Sequence, residues 1–379
     1  MLIFSNFRYI VEYMALEFSH KFYRTTTSAL AAMHEAISVA KESIYWEIYS
    51  LIDDDIGSSF VEVLCQKAKA GLEVKVIVDA IGSFELSRLS ISRLRGSGVD
   101  VVFYHSVLSG KSKSGFFRTL WNRNHRKILV IDKDVVFIGG VNVAGIYSQW
   151  DDLHVRLTGR LVTPLLRGFA KSYIRSGGER KKIRHLLKKN LKNDWHDLKS
   201  RYQFILHSPF SIRRSSARKI FMDSLSKAQT KFNLLTPYFS PDKNFFKLIS
   251  KAIDRGVEVN LFLPLRSDHR LLVWVADFYG RWARKIGASV YLSKKMNHGK
   301  AMTMDSHTGF VGSVNFTPRS FYYNEESGIL FQDELMVQEL DLIFEDLRIN
   351  AIQLNKSENL SGWRLKIKDW CSKKIGEWI

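Results

Sequence analysis

Only two cysteines, Cys65 and Cys371, occur among 379 residues. That excludes a disulfide framework and a zinc cluster, and it fits a reducing compartment. Proline is also scarce, at six, and no low-complexity tract is present, so the chain reads as globular. No apolar run reaches the roughly eighteen residues that a spanning helix needs. The segment Met1 to Phe18 is rich in apolar residues but is interrupted by Arg8, Glu12 and Glu17. It lacks the basic start and small-residue cleavage site of a signal peptide, and reads as a cytoplasmic start that packs or lies on a surface. Acidic residues are in deficit: 38 Asp and Glu face 57 Lys and Arg, a formal charge of +19. Such a surface attracts nucleic acid or anionic lipid, and charge alone does not choose between them. Lys181, Lys182, Arg184, Lys188, Lys189 and Lys192 crowd one stretch near the middle of the chain.

Against these absences stands a motif spelled twice. The first copy is His125-Arg126-Lys127, Asp132 and Gly139-Gly140-Val141-Asn142; the second is His298-Gly299-Lys300, Asp305 and Gly312-Ser313-Val314-Asn315. The steps from His to Lys, Asp, Gly and Asn are the same in both. A lone His-x-Lys would be accidental; a second copy in register is not, and it points to one site built from two halves.

The repeat extends beyond the motif. A helical pattern through Ala29–Lys41 leads into the strand 43–49, and Ile220–Lys231 leads into 232–238. A helix ending in Gly71 or Gly256 follows, where glycine supplies a left-handed cap. Each is succeeded by a β-branched strand, at 74–78 or 257–262, then a helix closed by Gly98 or Gly287, a short strand, and the motif strand. Ile128-Leu129-Val130-Ile131 is apolar throughout, as a strand covered on both faces should be. Asp132-Lys133-Asp134 predicts a turn, with 135–138 as the hairpin partner. Alternating helices and strands predict an α/β fold of two pseudo-symmetric α-β-α halves with mostly parallel sheets covered by helices. The halves fall at 20–165 and 205–350, joined by a basic segment 166–204 and followed by a tail, 351–379.

Side chains alternate along a strand, so His125 and Lys127 project together, as do His298 and Lys300. Asn142 and Asn315 follow glycines that let the backbone turn close to a ligand. Ammonium and amide donors suit the non-bridging oxygens of a phosphodiester. No compact Asp/Glu/His cluster has metal spacing, so neither a metal nor another cofactor is expected. Two histidines on opposite sides of phosphorus permit in-line displacement, one attacking and the other protonating the leaving oxygen. A carboxylate must hold the far nitrogen of the attacking ring; Asp152 and Glu326 are placed to do so, with Asp151 and Glu325 as competitors. Asp132 and Asp305 belong to the motif, yet sit at strand ends, where bracing the turn is the expected role. His154 reads as a satisfied histidine and His307 as a solvated turn residue. Glu47/Tyr49 and Thr236/Tyr238 end equivalent strands and either line the site or pack.

The doubled His-x-Lys-x4-Asp-x6-Gly-x-x-Asn pattern resembles the phospholipase D superfamily over about 20–350. Within it the chain is most similar to bacterial cardiolipin synthases, by Asn124–Lys127, Trp150–Arg156, Thr236–Asp242, Leu263–His269, Met296–Lys300 and Arg319-Ser320 through Glu326. That comparison favours Asp152 over Asp151 and Glu326 over Glu325. The resemblance implies a site at a pseudo-dyad, a covalent phosphatidyl-histidine and transfer to an alcohol. It makes His125 the nucleophile and His298 the acid, although the duplication leaves the reverse assignment open. It implies cardiolipin synthesis from phosphatidylglycerol or a related donor lipid on an anionic phospholipid surface, peripherally at the cytoplasmic face of the cell membrane, with no protein partner. The alternative is a phospholipase D-type hydrolase or a nuclease; no stacking platform interleaves the basic run 180–192, which counts against nucleic acid. Many cardiolipin synthases begin with two membrane spans, which this chain lacks; it is closer to the branch without them. Trp363, Ile367, Trp370, Cys371 and Trp378 recur at helical spacing among lysines, which suits either an interfacial helix or a helix packed on the body.

Overall fold

The computed structural model describes residues 18–105, 121–159, 162–187, 201–209, 216–267, 269–354 and 363–376. By internal contacts the described residues form two compact units. One runs to Gln149 and resumes at His154; the other comprises Trp150–Leu153 and the residues from Arg201 onward. Among the described residues no helix is long and apolar enough to cross a membrane.

The first unit has strands β1 (His20–Thr25), β2 (Ser43–Ile48), β3 (Glu73–Asp79), β4 (Asp100–Tyr104), β5 (Ile128–Ile131), β6 (Val135–Gly139) and β7 (Asp151–Thr158), in the sheet order β1-β7-β6-β5-β2-β3-β4. Its helices are α1 (Thr26–Ser38), α2 (Asp55–Lys69), α3 (Arg88–Gly96), α4 (Thr163–Arg175) and α5 (Arg180–Ile183). Ala29, Leu30, Met33 and Ile37 share one face of α1 and are buried with Trp46 of β2, Val76 of β3 and Leu64 of α2. On the opposite face of the sheet, Tyr45 meets Phe169 of α4 with ring centroids 5.5 Å apart.

The second unit repeats this plan. Its strands are β8 (Tyr202–His207), β9 (Lys231–Leu235), β10 (Glu258–Pro264), β11 (Ser289–Ser293), β12 (Ala301–Met304), β13 (Thr308–Gly312), β14 (Glu326–Phe331) and β15 (Ile352–Gln353), ordered β15-β11-β10-β9-β12-β13-β14-β8. Read from β8, this is the first sheet's order with β15 added at the far edge. The helices are α6 (Ser216–Lys227), α7 (Lys243–Asp254), α8 (Arg270–Lys285), α9 (Pro318–Tyr322), α10 (Glu334–Asn350) and α11 (Trp363–Gly376). Phe221, Phe245, Ile249, Val275 and Ala283 of α6–α8 pack on Phe232, Leu234 and Leu261. Phe344 of α10 meets Phe262 from the other side, at 5.2 Å.

Both sheets are mixed. Strands β2, β3 and β4 run parallel, as do β9, β10 and β11, whereas the motif strands add antiparallel. Parallel pairing therefore belongs to the helix-connected strands; the motif strands are joined by tight turns, which can only reverse the chain. In each turn two successive residues have positive φ, Asp132 (50°) with Lys133 (59°) and Asp305 (52°) with Ser306 (50°). That is the hairpin geometry matching strand twist. Gly71 (φ 92°), Gly98 (94°), Gly256 (86°) and Gly287 (106°) close α2, α3, α7 and α8 in the left-handed region, as expected.

The C-terminal helix α11 packs on α8. Arg281 of α8 bonds Asp369 (2.5 Å), and Ser240 Oγ donates to the Gly376 carbonyl (2.5 Å). Of the two readings of the tail, the packed helix holds for this part; Trp378 lies outside the described residues, as do the side chains of Trp363 and Ile367. The N-terminal segment before Phe18 and the cations Lys188, Lys189 and Lys192 also lie outside them.

Candidate active site

In the first unit the motif enters β5 through Asn124-His125-Arg126-Lys127, and alternation sorts these four side chains. Asn124 and Arg126 turn to the α4 side: Asn124 Nδ2 donates to Glu47 (2.8 Å), and Arg126 bonds Ser172 (2.6 Å) and lies 3.7 Å from Glu47. His125 and Lys127 take the other side. The His125 ring is edge-on to Tyr49 (5.0 Å), and the Lys127 ammonium sits over the same ring (4.9 Å) while donating to the His125 carbonyl (2.9 Å). A tyrosine face and a carbonyl offset part of the cost of burying that cation. Asn142, just past β6, is buried, and its amide oxygen has no hydrogen-bond partner among the described residues.

The second unit presents the same group. Lys300 donates to the carbonyl of His298, and Tyr238 lies 6.2 Å from the His298 ring. Asn315 repeats the buried, unmet amide oxygen. Thr236 turns inward instead, accepting from Phe316 N (3.1 Å).

The carboxylates divide into two pairs. Asp132 accepts from the backbone N–H groups of Lys41, Glu42 and Ser43 at 2.7–3.0 Å, and Asp305 from those of Gln229, Thr230 and Lys231 at 2.8–3.2 Å. Both tie the motif hairpin to the start of the neighbouring strand. Asp152 and Glu326 occupy equivalent register positions, since Gly139 pairs with His154 and Gly312 with Gly328, two residues further on. Asp152 accepts from His298 Nδ1 at 2.9 Å. Burial alone would raise the Asp152 carboxyl, but the His298 ring beside it, Lys300 and its bond from Leu153 N hold it below the ordinary carboxylate range. Glu326 is fully buried, accepting from Ser313 Oγ (2.5 Å) and Asn324 Nδ2 (3.3 Å). Its neighbour Glu325 accepts from Ser208 (3.1 Å). Asp151 serves through its backbone, bridging to Met296 and His298 on either side of Asn297.

A match to the cardiolipin synthase, PLD-like domain model covers residues 33–151 and 221–348, so both motifs fall inside it. The chain belongs to that family. It is 30% identical over 338 residues to the probable cardiolipin synthase YwiE of Bacillus subtilis, covering 86% of this chain and 64% of that protein. It is 30% identical over 340 residues to the cardiolipin synthase of Clostridium perfringens, covering 86% and 70%. The fold matches the crystal structure of phosphatidylserine synthase from Haemophilus influenzae with a TM-score of 0.71 at 16% identity, over 95% of each chain.

In each unit histidine, lysine and asparagine side chains lie on the motif segment, and their N–H groups are of the kind that suits an anion. Among the described residues no three His, Cys, Asp or Glu side chains gather as a cation would require. His154 is buried and accepts from Val141 N (3.4 Å), and His307 is exposed in its turn. Sequence reasoning missed the ionic layer behind the first motif. Asp79 is wholly buried, pairs with Arg123 (3.3 Å) and accepts from the N–H groups of Ile81, Gly82 and Asn124. Glu47 near the end of β2 and Asp79 at the end of β3 were the available signal.

Proposed function

We propose that this chain is a phospholipase D superfamily phosphotransferase that makes cardiolipin from phosphatidylglycerol, or a related donor, at the cytoplasmic face of the membrane as a peripheral enzyme. The two motifs act on one phosphodiester. His125 attacks phosphorus through a ring nitrogen, the bond to the leaving glycerol oxygen breaks, and His298 gives that oxygen its proton. The phosphatidyl-histidine is then attacked by the hydroxyl of a second phosphatidylglycerol, whose proton returns to His298 as the P–N bond breaks. Lys127, Lys300, Asn142 and Asn315 hold the non-bridging oxygens and stabilise the charge that develops on them. Glu326, equivalent in register to Asp152, is assigned the same orienting role.

The observation that carries this reading is the Asp152–His298 pair. A buried carboxylate on Nδ1 fixes the tautomer, leaves Nε2 for proton transfer, and stabilises the imidazolium that an acid must be. The test is incubation of purified protein with phosphatidylglycerol vesicles, followed by lipid mass spectrometry. Cardiolipin and glycerol are expected, and His125→Ala or His298→Ala should each abolish both. Phosphatidic acid in place of cardiolipin would make the enzyme a hydrolase, and near-normal turnover by either variant would refute the paired-histidine mechanism.

A further inference from the structure

Helix α8 follows β10 and carries a half-exposed apolar stripe beside its core-facing side, where Trp282 rests on Phe246 (5.2 Å). Leu271, Trp274, Phe278 and Trp282 are spaced three, four and four residues apart, which places them along one face. Leu271 is 51% exposed, Trp274 42% and Trp282 47%, and Phe278 is partly exposed. Val275, Tyr279 and Ala283, each one position after a stripe residue and so about 100° further around the helix, are buried in the core. Leu265, before the helix, and Trp370, on α11 beside it, extend the exposed apolar surface. The surface continues inward as a cavity of about 260 Å³ between α8 and the ends of β10 and β11, lined by Leu265, Val273, Trp274 and Leu292 among others.

Around this stripe the charge is of one sign. Arg266, Lys285, Lys294, Lys295 and Lys373 are exposed. The two nearby carboxylates, Asp277 and Asp369, both pair with Arg281. The stripe also begins at the reaction centre: His269, which caps α8, lies 6.4 Å from the Tyr238 ring, and Tyr238 lies 6.2 Å from His298. A large exposed apolar patch marks an interaction surface. Tryptophan is the residue that favours a boundary between apolar and wet phases, and rimming cations complement an anionic headgroup layer.

We infer that α8 is the membrane-docking element of this protein: its Leu271–Trp274–Phe278–Trp282 stripe enters the interface of an anionic bilayer, and Arg266, Lys285, Lys294 and Lys295 contact the headgroups. The inference rests on the proposed lipid substrate but names the surface that meets it.

The experiment uses the full chain and vesicles of phosphatidylglycerol with phosphatidylcholine, against phosphatidylcholine alone. Trp274→Glu/Trp282→Glu should lower partitioning onto the anionic vesicles at least tenfold, while turnover of a short-chain phosphatidylglycerol dispersed in detergent stays near wild type. Lys285→Glu/Lys294→Glu/Lys295→Glu should weaken binding to the anionic vesicles and flatten its salt dependence. Should the double glutamate variant fail to fold, Trp274→Phe/Trp282→Phe supplies a second measurement. Quenching of wild-type fluorescence by chain-brominated lipid should fall by about half or more in that variant. Unchanged partitioning of a folded glutamate variant, or unchanged quenching in the phenylalanine variant, overturns the assignment. So does a wild-type dimer that the glutamate variant dissociates without any loss of vesicle binding. Loss of short-chain turnover in the wild type would count against the proposed reaction and leave the docking result standing.

Discussion

The Asp152 carboxylate meets the His298 ring at 2.9 Å although 146 residues separate them in sequence. Asp152 follows the first motif, yet the histidine it orients belongs to the second. Both side chains are almost wholly buried, so the bond is shielded from water, where charge-assisted hydrogen bonds are strongest. Trp150, two residues earlier, lies 5.5 Å from the same ring and walls one side of it.

Asp152→Asn keeps the side-chain volume and removes the charge that stabilises the imidazolium. Turnover should fall by up to roughly 10⁴-fold, the loss seen when the histidine-orienting aspartate of a catalytic triad becomes asparagine. The check is steady-state cardiolipin formation beside a circular dichroism spectrum matching wild type. Near-normal turnover by a folded Asp152→Asn protein would remove this residue from the mechanism.

Gly299 makes that approach possible. A Cβ there would lie 2.8 Å from Leu235 Cδ2, 3.0 Å from Asn297 Oδ1 and 3.2 Å from Leu153 Cβ. The leucine tip can rotate away, but the other two contacts involve Leu153, which adjoins Asp152, and Asn297, whose Oδ1 accepts from Gly299 N (2.9 Å). Gly299→Ala should therefore destabilise the protein by about 1–3 kcal/mol, as overpacking does, and turnover should drop with it. Denaturant midpoints and turnover measured on the same preparation test both; an alanine variant as stable and as active as wild type would show that the segment has slack.

Behind the first motif the corresponding space is filled by charge. Sheet register makes Glu47 the equivalent of Leu235, and Arg126 that of Gly299. Glu47→Ala leaves the buried Arg126 guanidinium without its nearby carboxylate, a loss of about 3–5 kcal/mol for breaking a buried pair. Glu47→Leu/Arg126→Met, apolar as the second unit is, should recover most of that. Thermal or chemical unfolding of the two variants gives the comparison. A double variant no better than Glu47→Ala would mean that the charges anchor Asn124 and the strand entry in a way apolar packing cannot replace.

Much of this was legible because it is local. The motif strands follow from four apolar residues in a row, the glycine caps from their place after each helix, and the hairpins from Asp-Lys-Asp and Asp-Ser-His. Counting from the asparagines reached Asp152 and Glu326 with Asp151 and Glu325 as competitors, and the family resemblance chose between them. The histidine that Asp152 serves could not be found by counting, because that contact joins segments far apart in sequence. The Glu47–Arg126 and Asp79–Arg123 pairs were hidden for the same reason: the partners lie 79 and 44 residues apart in sequence, and neither charge alone names the other. The exposure of the α8 tryptophans depends on which face of the helix the fold covers, and their spacing alone does not reveal it.

Acid should unpin both hairpins. Burial alone would raise the carboxyls of Asp132 and Asp305, but three backbone N–H groups at each outweigh it and hold both below their ordinary value. A group depressed in the folded state binds its proton more readily once the chain unfolds. Its stabilisation is therefore complete above the ordinary aspartate pKa of about 3.9, and is lost as the pH falls from there through the lowered folded value. Asp132→Asn and Asp305→Asn should each cost about 1 kcal/mol at neutral pH, near the lower end for hydrogen bonds to a charged group because the turns are partly open to solvent. The asparagine can still adopt the left-handed backbone, so the cost reports the carboxylate and not the turn. Urea midpoints measured from pH 7 to pH 3 should show the wild-type advantage over each variant shrinking on the acid side. An advantage that persists unchanged at pH 3, or grows there, would show that these aspartates do not brace the hairpins as anions.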